Sequence, residues 1–490
     1  MVIQMNNDKL LFIIPSFFFI DSYHKNLFYR KIPLKVLQLS SFLREKMNIK
    51  SHFIDVRFER PLQNSVQNKS LDKREFQIKF LKVLEKNSIQ EFQNVCIILD
   101  SSYEFVQTEM IAKIVKKNFG EANLIIGGYH PTAVPNDFLY KTAPYNYVIV
   151  GELEKTFLDL FNSIEIKKIS KDKSPRLIRS EDCVDLDLLP FPDYHLYLTK
   201  YSFKDWFKFE ISLSRGCPFK CRFCRIIKSP IVRNYSFPNF LENFKKLMDL
   251  VMNYNKTNTK ISFLDHTFNS AAISKRCINY IIQNKLYESF KFSCQTRIEY
   301  PFKHRELISL FKKSKMVVGY GFETANKNLL LEMNKTRNPL KYIRKMKELL
   351  KEYKSFSDPY CRINIITGYP GEDRNSFEET IAFLNENAFH ENIQISPTLF
   401  INDPITYVYN NMEYYEKKYG SKFEKEWWKY PSDPLKNAII PKPSRNYTRK
   451  ELIRDYVNKY AKILTKFKYS SFNLLISWQR YYNKWYKENQ

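Results

Sequence analysis

Glycine is scarce in this chain: 10 residues in 490, where ordinary usage of about 7% would supply roughly 34. That excludes a collagen, a Gly/Ser linker array and a Gly-rich low-complexity protein, and it leaves few turns able to use positive φ. Long apolar runs are also missing. The longest near the start, Leu10 to Ile20, is too short to span a bilayer, is broken by Pro15, ends at Asp21 and lacks a small-residue cleavage site. It reads as a buried strand and loop, so the expected location is the cytoplasm, with no transmembrane segment. The eight cysteines form no disulfide-like ladder, and only Cys217, Cys221 and Cys224 stand close together. In a reducing compartment such a cluster points to metal rather than to crosslinks.

What is present suits a folded, soluble chain: 44% hydrophobic, 27% charged and 16% aromatic residues supply a sizeable core. The net charge of +27 is spread along the chain, and Lys, Asn, Ile, Phe and Tyr are enriched together, as they are when coding DNA is AT-rich. Without a basic stripe or tail the charge does not single out nucleic acid, which is not expected as a partner.

Apolar runs of strand length alternate with helix-period segments from the start, the pattern of stacked βα units around a parallel sheet. Five strands are expected at 10–16, 51–58, 94–102, 122–128 and 145–152, with helices between them such as 33–47 and 104–120, the second stopped by Gly120. They make a doubly wound, Rossmann-like domain over 1–165. A polar stretch and a Pro-containing linker fill 166–204, and the alternation then restarts. Strands at 209–215, 260–268, 291–299, 316–324, 360–370 and 393–400, with five intervening helices, predict an α/β partial (βα)6 barrel over 205–402. A Tyr/Trp/Lys-rich helical C-terminal region, 403–490, has helix-period segments near 449–467 and 471–488.

The strongest chemical motif is Cys217-Pro-Phe-Lys-Cys221-Arg-Phe-Cys224, directly after an expected strand and Gly216. Three soft thiolates on a short loop can hold three irons of a cubane cluster and leave the fourth open to a ligand. Structural zinc wants four ligands, usually on paired CxxC arms, and Cys183, Cys277, Cys294 and Cys361 are isolated.

CxxxCxΦC with an aromatic Φ, here Phe223, resembles the radical S-adenosylmethionine (SAM) enzymes. The resemblance covers residues 205–400. It implies a 4Fe-4S cluster on Cys217, Cys221 and Cys224, whose open iron chelates SAM. Reduction by a flavodoxin- or ferredoxin-like donor then cleaves SAM to a 5′-deoxyadenosyl radical. Further strings match in the expected order. GYGFET (319–324) resembles the G-x-E-[ST] segment, where Gly321 admits the cofactor and Glu323 binds the polar part of SAM. NIITGYPGE (364–372) resembles the G-x-PGE segment, which places Gly368, Gly371 and Glu372 beside SAM. Arg297 is offered to the SAM carboxylate, and Asp265 occupies the place of a short acidic segment near SAM. Each has a plainer alternative as a helix cap, ion pair or strand-end turn.

The N-terminal part resembles the cobalamin-binding domain fused to one subclass of that family. IIGGYHPTAVPNDF (125–138) and YVIVGELEKTF (147–157) carry the resemblance, which implies that Gly127, Gly128, Thr132 and Gly151 lie near the corrinoid. Lys35 and Leu153 stand where the family usually has glycine, and DSYHKN (21–26) offers no correctly spaced axial histidine.

The resemblance implies a cobalamin-dependent radical SAM methyltransferase acting on a substrate peptide or small molecule, possibly acidic. A radical cyclase, epimerase or rearrangement enzyme with a vestigial cobalamin domain stays open. So does a non-catalytic component whose basic, aromatic C-terminal helices hold a peptide or RNA. A methylthiotransferase needs three further N-terminal cysteines, and only Cys96 and Cys183 precede the cluster here.

Overall fold

The computed structural model describes residues 9–16, 32–63, 73–163, 174–180, 182–201, 209–226, 231–253, 259–356, 359–430 and 439–464. The chain divides into two compact units. The first comprises Met1–Ile20, Pro33–Lys204 and Glu426–Asp433; the second comprises Asp21–Ile32, Asp205–Lys425 and Pro434–Gln490.

The first unit is built on six parallel strands: β1 (Lys9–Ile14), β2 (Lys50–Asp55), β3 (Asn94–Ile98), β4 (Asn123–Gly127), β5 (Tyr147–Val150) and β6 (Arg176–Arg179). Their order is β2-β1-β3-β4-β5-β6. All five residues of β3 and of β4 are buried, as expected where helices cover both faces of a parallel sheet. The connection reverses between β1 and β3, so the crevice for a ligand lies at their carboxyl ends. Strand β6 falls within the stretch expected to be linker. It sits at the sheet edge with alternating exposure and two arginines, and an edge strand can be held by backbone pairing to β5 without an apolar run.

The helix Leu34–Met47 buries Val36, Leu37, Leu39, Phe42 and Leu43 and ends on Asn48 in the left-handed region (φ 56), which asparagine tolerates. Gly120 does not play that role for the next helix, Phe105–Asn118. The helix closes on Phe119 at φ −137. A Cβ at Gly120 would stand 3.1 Å from the Lys116 carbonyl oxygen, a tight contact.

The second unit holds β7 (Phe209–Ile211), β10 (Thr259–Phe263), β11 (Phe290–Thr296), β12 (Val317–Glu323), β13 (Cys361–Thr367) and β14 (Ile393–Leu399). All pair in parallel and in sequential order, β14-β13-β12-β11-β10-β7, the arrangement of a partial βα barrel. The expected strand 209–215 is split: Ser214–Arg215 (β8) leaves the sheet to pair antiparallel with Arg233–Asn234 (β9). The split occurs where the Asp265 carboxylate accepts the Leu213 N–H at 2.9 Å, withdrawing that donor from the sheet ladder.

Helix Pro339–Lys354 starts with proline at its first position and with the Asn338 side chain accepting the Lys341 N–H. Helix Arg374–Asn387 opens on a capping box between Asp373 and Ser376. Beyond the barrel, helix Met412–Tyr419 stops at Gly420 (φ 67) and helix Arg449–Leu464 follows. The helical segment expected at 471–488 lies outside the described residues.

Candidate functional site

The cysteine loop begins at Gly216 (φ +104), where any Cβ would run into the Ile231 carbonyl, so only glycine suits this turn. Cys217 Sγ lies 3.6 Å from the Thr267 hydroxyl, and Cys221 Sγ is 3.2 Å from Arg297 Nη1. The Cys224 N–H donates to the Cys221 carbonyl at 3.3 Å. Burial pushes the Cys224 thiol up to about 11, with the neighbouring Cys221 and Cys217 acting in the same direction.

Several contacts from the end of the helix Lys327–Glu332 and the segment after it hold this loop. The Arg222 N–H donates to the Met333 carbonyl at 2.9 Å, and its guanidinium donates to Glu332 Oε1 at 2.6 Å. Asn334 Nδ2 donates to the Lys220 carbonyl at 2.8 Å. Phe223 packs against a buried cluster that includes Leu329, Met333, Tyr369 and Tyr415, so its aromatic ring anchors the loop. Arg297 spans the loop from the other side: its guanidinium lies 4.0 Å from the centre of the Phe219 ring and pairs with Glu299 at 2.7 Å.

Glu332 is a hub for these contacts. It is 7% exposed and receives Arg222, Lys418 and Tyr419 at 2.6 to 2.8 Å. Burial opposes its ionisation, but those donors hold the carboxyl below its ordinary range.

Glu323, at the carboxyl end of β12, has φ 72 beside a register irregularity. A non-glycine residue held there costs about 1–3 kcal/mol and persists only where its surroundings enforce it. The Glu323 side chain is paired with Lys335, whose Nζ donates to Glu323 Oε1 at 2.8 Å, with both side chains buried. Gly321 makes room for this pair, since a Cβ there would lie 2.7 Å from Lys335 Nζ. The ammonium also stands 5.8 Å from the centre of the Phe223 ring. Contacts thus link Cys221 to Arg297, and Phe223 through Lys335 to Glu323, at the carboxyl ends of the strands.

Other residues expected around SAM have partners within the protein. Asp265 is 4% exposed, and its carboxylate accepts the Leu213 N–H and the Ser214 hydroxyl. Burial pushes it up to about 6 against those bonds. The Gly368 N–H donates to Glu372, closing the 368–372 loop on itself, and burial pushes Glu372 up to about 8. Gly368 (φ +84) and Gly371 (φ +99) face later helices: a Cβ at the first would meet Leu452 at 2.6 Å and at the second the Tyr419 ring at 3.1 Å. The positive φ at both positions suits glycine whatever the space beside it.

In the first unit, Gly127, Gly128, Thr132 and Gly151 come together at the carboxyl ends of β4 and β5. Thr132 Oγ1 donates to the Gly128 carbonyl at 2.8 Å and accepts the Gly151 N–H at 3.1 Å. A Cβ at Gly128 (φ +116) would strike the Leu99 backbone at 2.7 Å; one at Gly127 would meet Leu153 at 3.1 Å. Leu153 thus turns its bulk inward onto Gly127. Lys35 is 64% exposed and reaches Asp100 at 3.4 Å. Gly151 (φ +100) has more space, its nearest neighbour being the Ser180 carbonyl at 3.7 Å.

The same edge carries a group that no local sequence pattern assembles. His130 is fully buried and bonded to Ser102 at 2.8 Å and Asp137 at 3.3 Å. Asp137 also receives Trp428 Nε1 at 2.6 Å and Lys429 at 2.9 Å. Trp427 lies against Tyr103 with ring centres 4.9 Å apart.

No group of three His, Cys, Asp or Glu side chains that could hold a metal ion is gathered among the described residues. A cubane takes one thiolate per iron, so the cysteines need not converge on a point, and a donor set of three thiols on one loop suits such a cluster. Among the described residues no helix is long and apolar enough to cross a membrane. Arg222, Glu332 and Lys335 were missed by sequence reasoning; Glu332 and Arg222 are separated by 110 residues, and no local pattern pairs them.

Residues 211–384 match the radical SAM superfamily. An uncharacterized methyltransferase, PH0819 of Pyrococcus horikoshii, is 26% identical over 291 residues, 56% of this chain and 60% of that protein. The ribosomal protein uS12 methylthiotransferase RimO of Dictyoglomus thermophilum is 25% identical, over 36% of this chain and 40% of that protein. The chain thus spans less than two thirds of the length of these relatives. Among solved structures, the radical SAM methyltransferase TsrM of Kitasatospora setae, with cobalamin and a 4Fe-4S cluster bound, shares the fold. It has a TM-score of 0.57 and 13% identity, and the match covers 85% of this chain and 77% of that one.

Proposed function

Because residues 211–384 form a radical SAM domain, we propose that the protein is a cobalamin-dependent radical SAM methyltransferase acting on a peptide or natural-product intermediate. Cys217, Cys221 and Cys224 would hold a 4Fe-4S cluster, and Glu323 with Lys335 and Arg297 would receive the amino-acid part of SAM. The observation that carries this reading is the loop itself: three thiols within eight residues, secured by Arg222 to Glu332 and flanked by Arg297 and the Glu323–Lys335 pair. When bound, the cluster supplies the electron that cleaves SAM to a carbon radical.

The chain's own contribution is placement. Arg297 sets a positive charge against Cys221, Phe223 fixes the loop on the core beneath it, and Glu323 presents an anion suited to an ammonium group. The cobalamin part rests on the strand order of the first unit, whose switch point offers a crevice between β1 and β3, and on the fold shared with TsrM. Gly151 is the candidate corrinoid neighbour with room beside it. A flavodoxin- or ferredoxin-like electron donor and a cytoplasmic location complete the reading.

A second reading, radical rearrangement without cobalamin, is favoured by one observation: Gly127, Gly128 and Thr132 are all engaged by neighbouring protein atoms. A methylthiotransferase reading has less support, because only two cysteines precede the loop and Cys96 is fully buried within β3.

Anaerobic reconstitution tests the proposal. It requires iron and sulfide bound in cluster stoichiometry, SAM cleavage to 5′-deoxyadenosine, retained cobalamin, and a product heavier by one methylene. Cleavage without retained cobalamin favours rearrangement. A protein that binds no iron defeats both readings.

A further inference from the structure

The segment Glu426–Asp433 belongs to the first unit, although the chain on either side of it belongs to the second. Within it Trp427–Lys429 form a single turn, entered at Glu426 with φ 56. A non-glycine residue keeps such a conformation only where its surroundings over-determine it. Trp427 and Trp428 are both buried, and the turn packs on the helix Phe105–Asn118. Two adjacent buried tryptophans make this segment a docked strap, unlike the exposed connections that most loops form.

The strap grips the turns at the carboxyl ends of β3 and β4. Trp427 lies against Tyr103, on the turn after β3, and Trp428 meets the ring of His130, on the turn after β4, with centres 5.0 Å apart. Trp428 Nε1 donates to one oxygen of Asp137 at 2.6 Å, and Lys429 Nζ reaches the other at 2.9 Å. Burial opposes ionisation of Asp137, but His130, Lys429 and Trp428 hold its carboxyl below the ordinary range. The turns are also tied to one another. The Leu99 N–H donates to the Gly127 carbonyl at 2.8 Å and the His130 N–H to the Leu99 carbonyl at 3.1 Å. Ser102 bonds His130 Nδ1 at 2.8 Å, and Thr132 joins Gly128 to Gly151 after β5. These bonds make one continuous rim.

Ser102, His130 and Asp137 stand in the order of a nucleophile triad, yet neither Ser102 nor His130 has exposed surface, so no substrate reaches that hydroxyl. The group holds rather than reacts. Ligand-binding loops are drawn from the less stable parts of a fold, and a bulky, rigid ligand binds more tightly when the turns it meets need no ordering. Here the ordering comes from a tryptophan 291 positions away from the carboxylate that receives it.

We infer that Trp427, Trp428 and Lys429 are positioning residues for the corrinoid: by fixing Tyr103, His130 and Asp137 they set the turns that carry Gly127, Gly128, Thr132 and Gly151. This rests on the cobalamin part of the reading above and deepens it by naming what holds the rim. Coupling between two binding events is reciprocal. A corrinoid on the rim therefore holds the strap in place, and a strap loosened from Asp137 weakens the corrinoid.

The test is spectral titration of the full chain with hydroxocobalamin, alongside trypsin digestion at Lys425 and Lys429 in its presence and absence. Trp428→Ala and Lys429→Met are each expected to weaken binding at least about fivefold, and bound hydroxocobalamin to slow cleavage by a similar factor. Phe80→Leu, at a buried position on the helix Lys73–Lys86 outside strap and rim, lowers stability and is expected to bind as wild type. Should Trp428→Ala fail to fold, Lys429→Met, whose side chain is 36% exposed, decides instead. Unchanged affinity in Lys429→Met, cleavage indifferent to hydroxocobalamin, or equal weakening in Phe80→Leu overturns the inference and leaves cobalamin binding standing. A wild-type chain that takes up no hydroxocobalamin removes the cobalamin reading and the inference together.

Discussion

Lys335 and Glu323 form an ion pair at 2.8 Å in which both side chains are at most 7% exposed, beside the aromatic ring that anchors the cysteine loop. Removing one member of a buried pair leaves the other charge unsolvated, which costs about 3 kcal/mol. Lys335→Met is therefore expected to lower thermal stability and to weaken SAM binding, measured by equilibrium dialysis. Lys335→Arg should recover part of both. Wild-type SAM affinity in Lys335→Met would show that the pair has no part in cofactor binding.

Substituting Cys217, Cys221 or Cys224 singly by Ala is expected to abolish the visible iron-sulfur absorbance and SAM cleavage. Cys277→Ala, which changes a thiol buried on the Ser274–Gln283 helix, should retain both. Persistent SAM cleavage in any of the first three would remove the basis for the cluster assignment.

Glu332 acts on the cysteine loop through Arg222. In Glu332→Ala the guanidinium loses a charged partner, and Lys418 and Tyr419 lose their shared acceptor. A cost of about 2 kcal/mol is expected from such a deletion. The discriminating measurement is the rate of cluster loss under a mild iron chelator. It should rise in Glu332→Ala and largely recover in Glu332→Gln, whereas a role in stability alone would leave it unchanged.

Burial raises the Glu372 carboxyl from 4.5 to about 8. The folded state therefore holds a proton that the unfolded state has released between those values. This contribution is fully present below pH 4.5 and is lost as pH rises toward 8. Glu372→Gln keeps an acceptor for the Gly368 N–H and cannot ionise. Relative to wild type, it is expected to gain stability steadily from pH 5 to 8, followed by denaturant titration at each pH. A constant difference would mean that Glu372 is ionised in the fold.

Trp428 tests the aromatic pair on the first unit. Trp428→Ala opens space against His130 and leaves Asp137 without its indole donor, and is expected to cost about 3–5 kcal/mol. Trp428→Phe keeps most of the packing and should cost about 1 kcal/mol for the lost hydrogen bond. If thermal melts of the two variants coincide, the hydrogen bond rather than the packing dominates.

Apolar periodicity located ten of the sequence-expected strands as single elements: β1, β3, β4 and β5 are buried on both faces and leave continuous apolar runs, while β11, β13 and β14 alternate buried and more exposed residues. It failed at β6, where backbone pairing replaces apolar content. It also failed at 209–215, where a carboxylate 52 residues after Leu213 divides the strand, since Asp265 accepts from both Leu213 and Ser214. The cysteine spacing was local and therefore legible. The contacts that hold the loop come from residues about 110 positions away, and no sequence period encodes them.

The alternation of strands and helices, the three thiols on one loop and the positions of the few glycines can all be read along the chain. Those follow from short-range patterns of burial, spacing and allowed φ. What lies against the glycines is set by the tertiary fold: a Cβ at Gly128 would strike the Leu99 backbone, and one at Gly321 the Glu323–Lys335 pair. The fold also decided that Glu426–Asp433 joins the first unit, where Trp428 finds Asp137. The physical reason is the same in each case. A steric or polar demand set by a neighbour in space is met by a residue far away in the chain, and that neighbour exists only once the strands have paired.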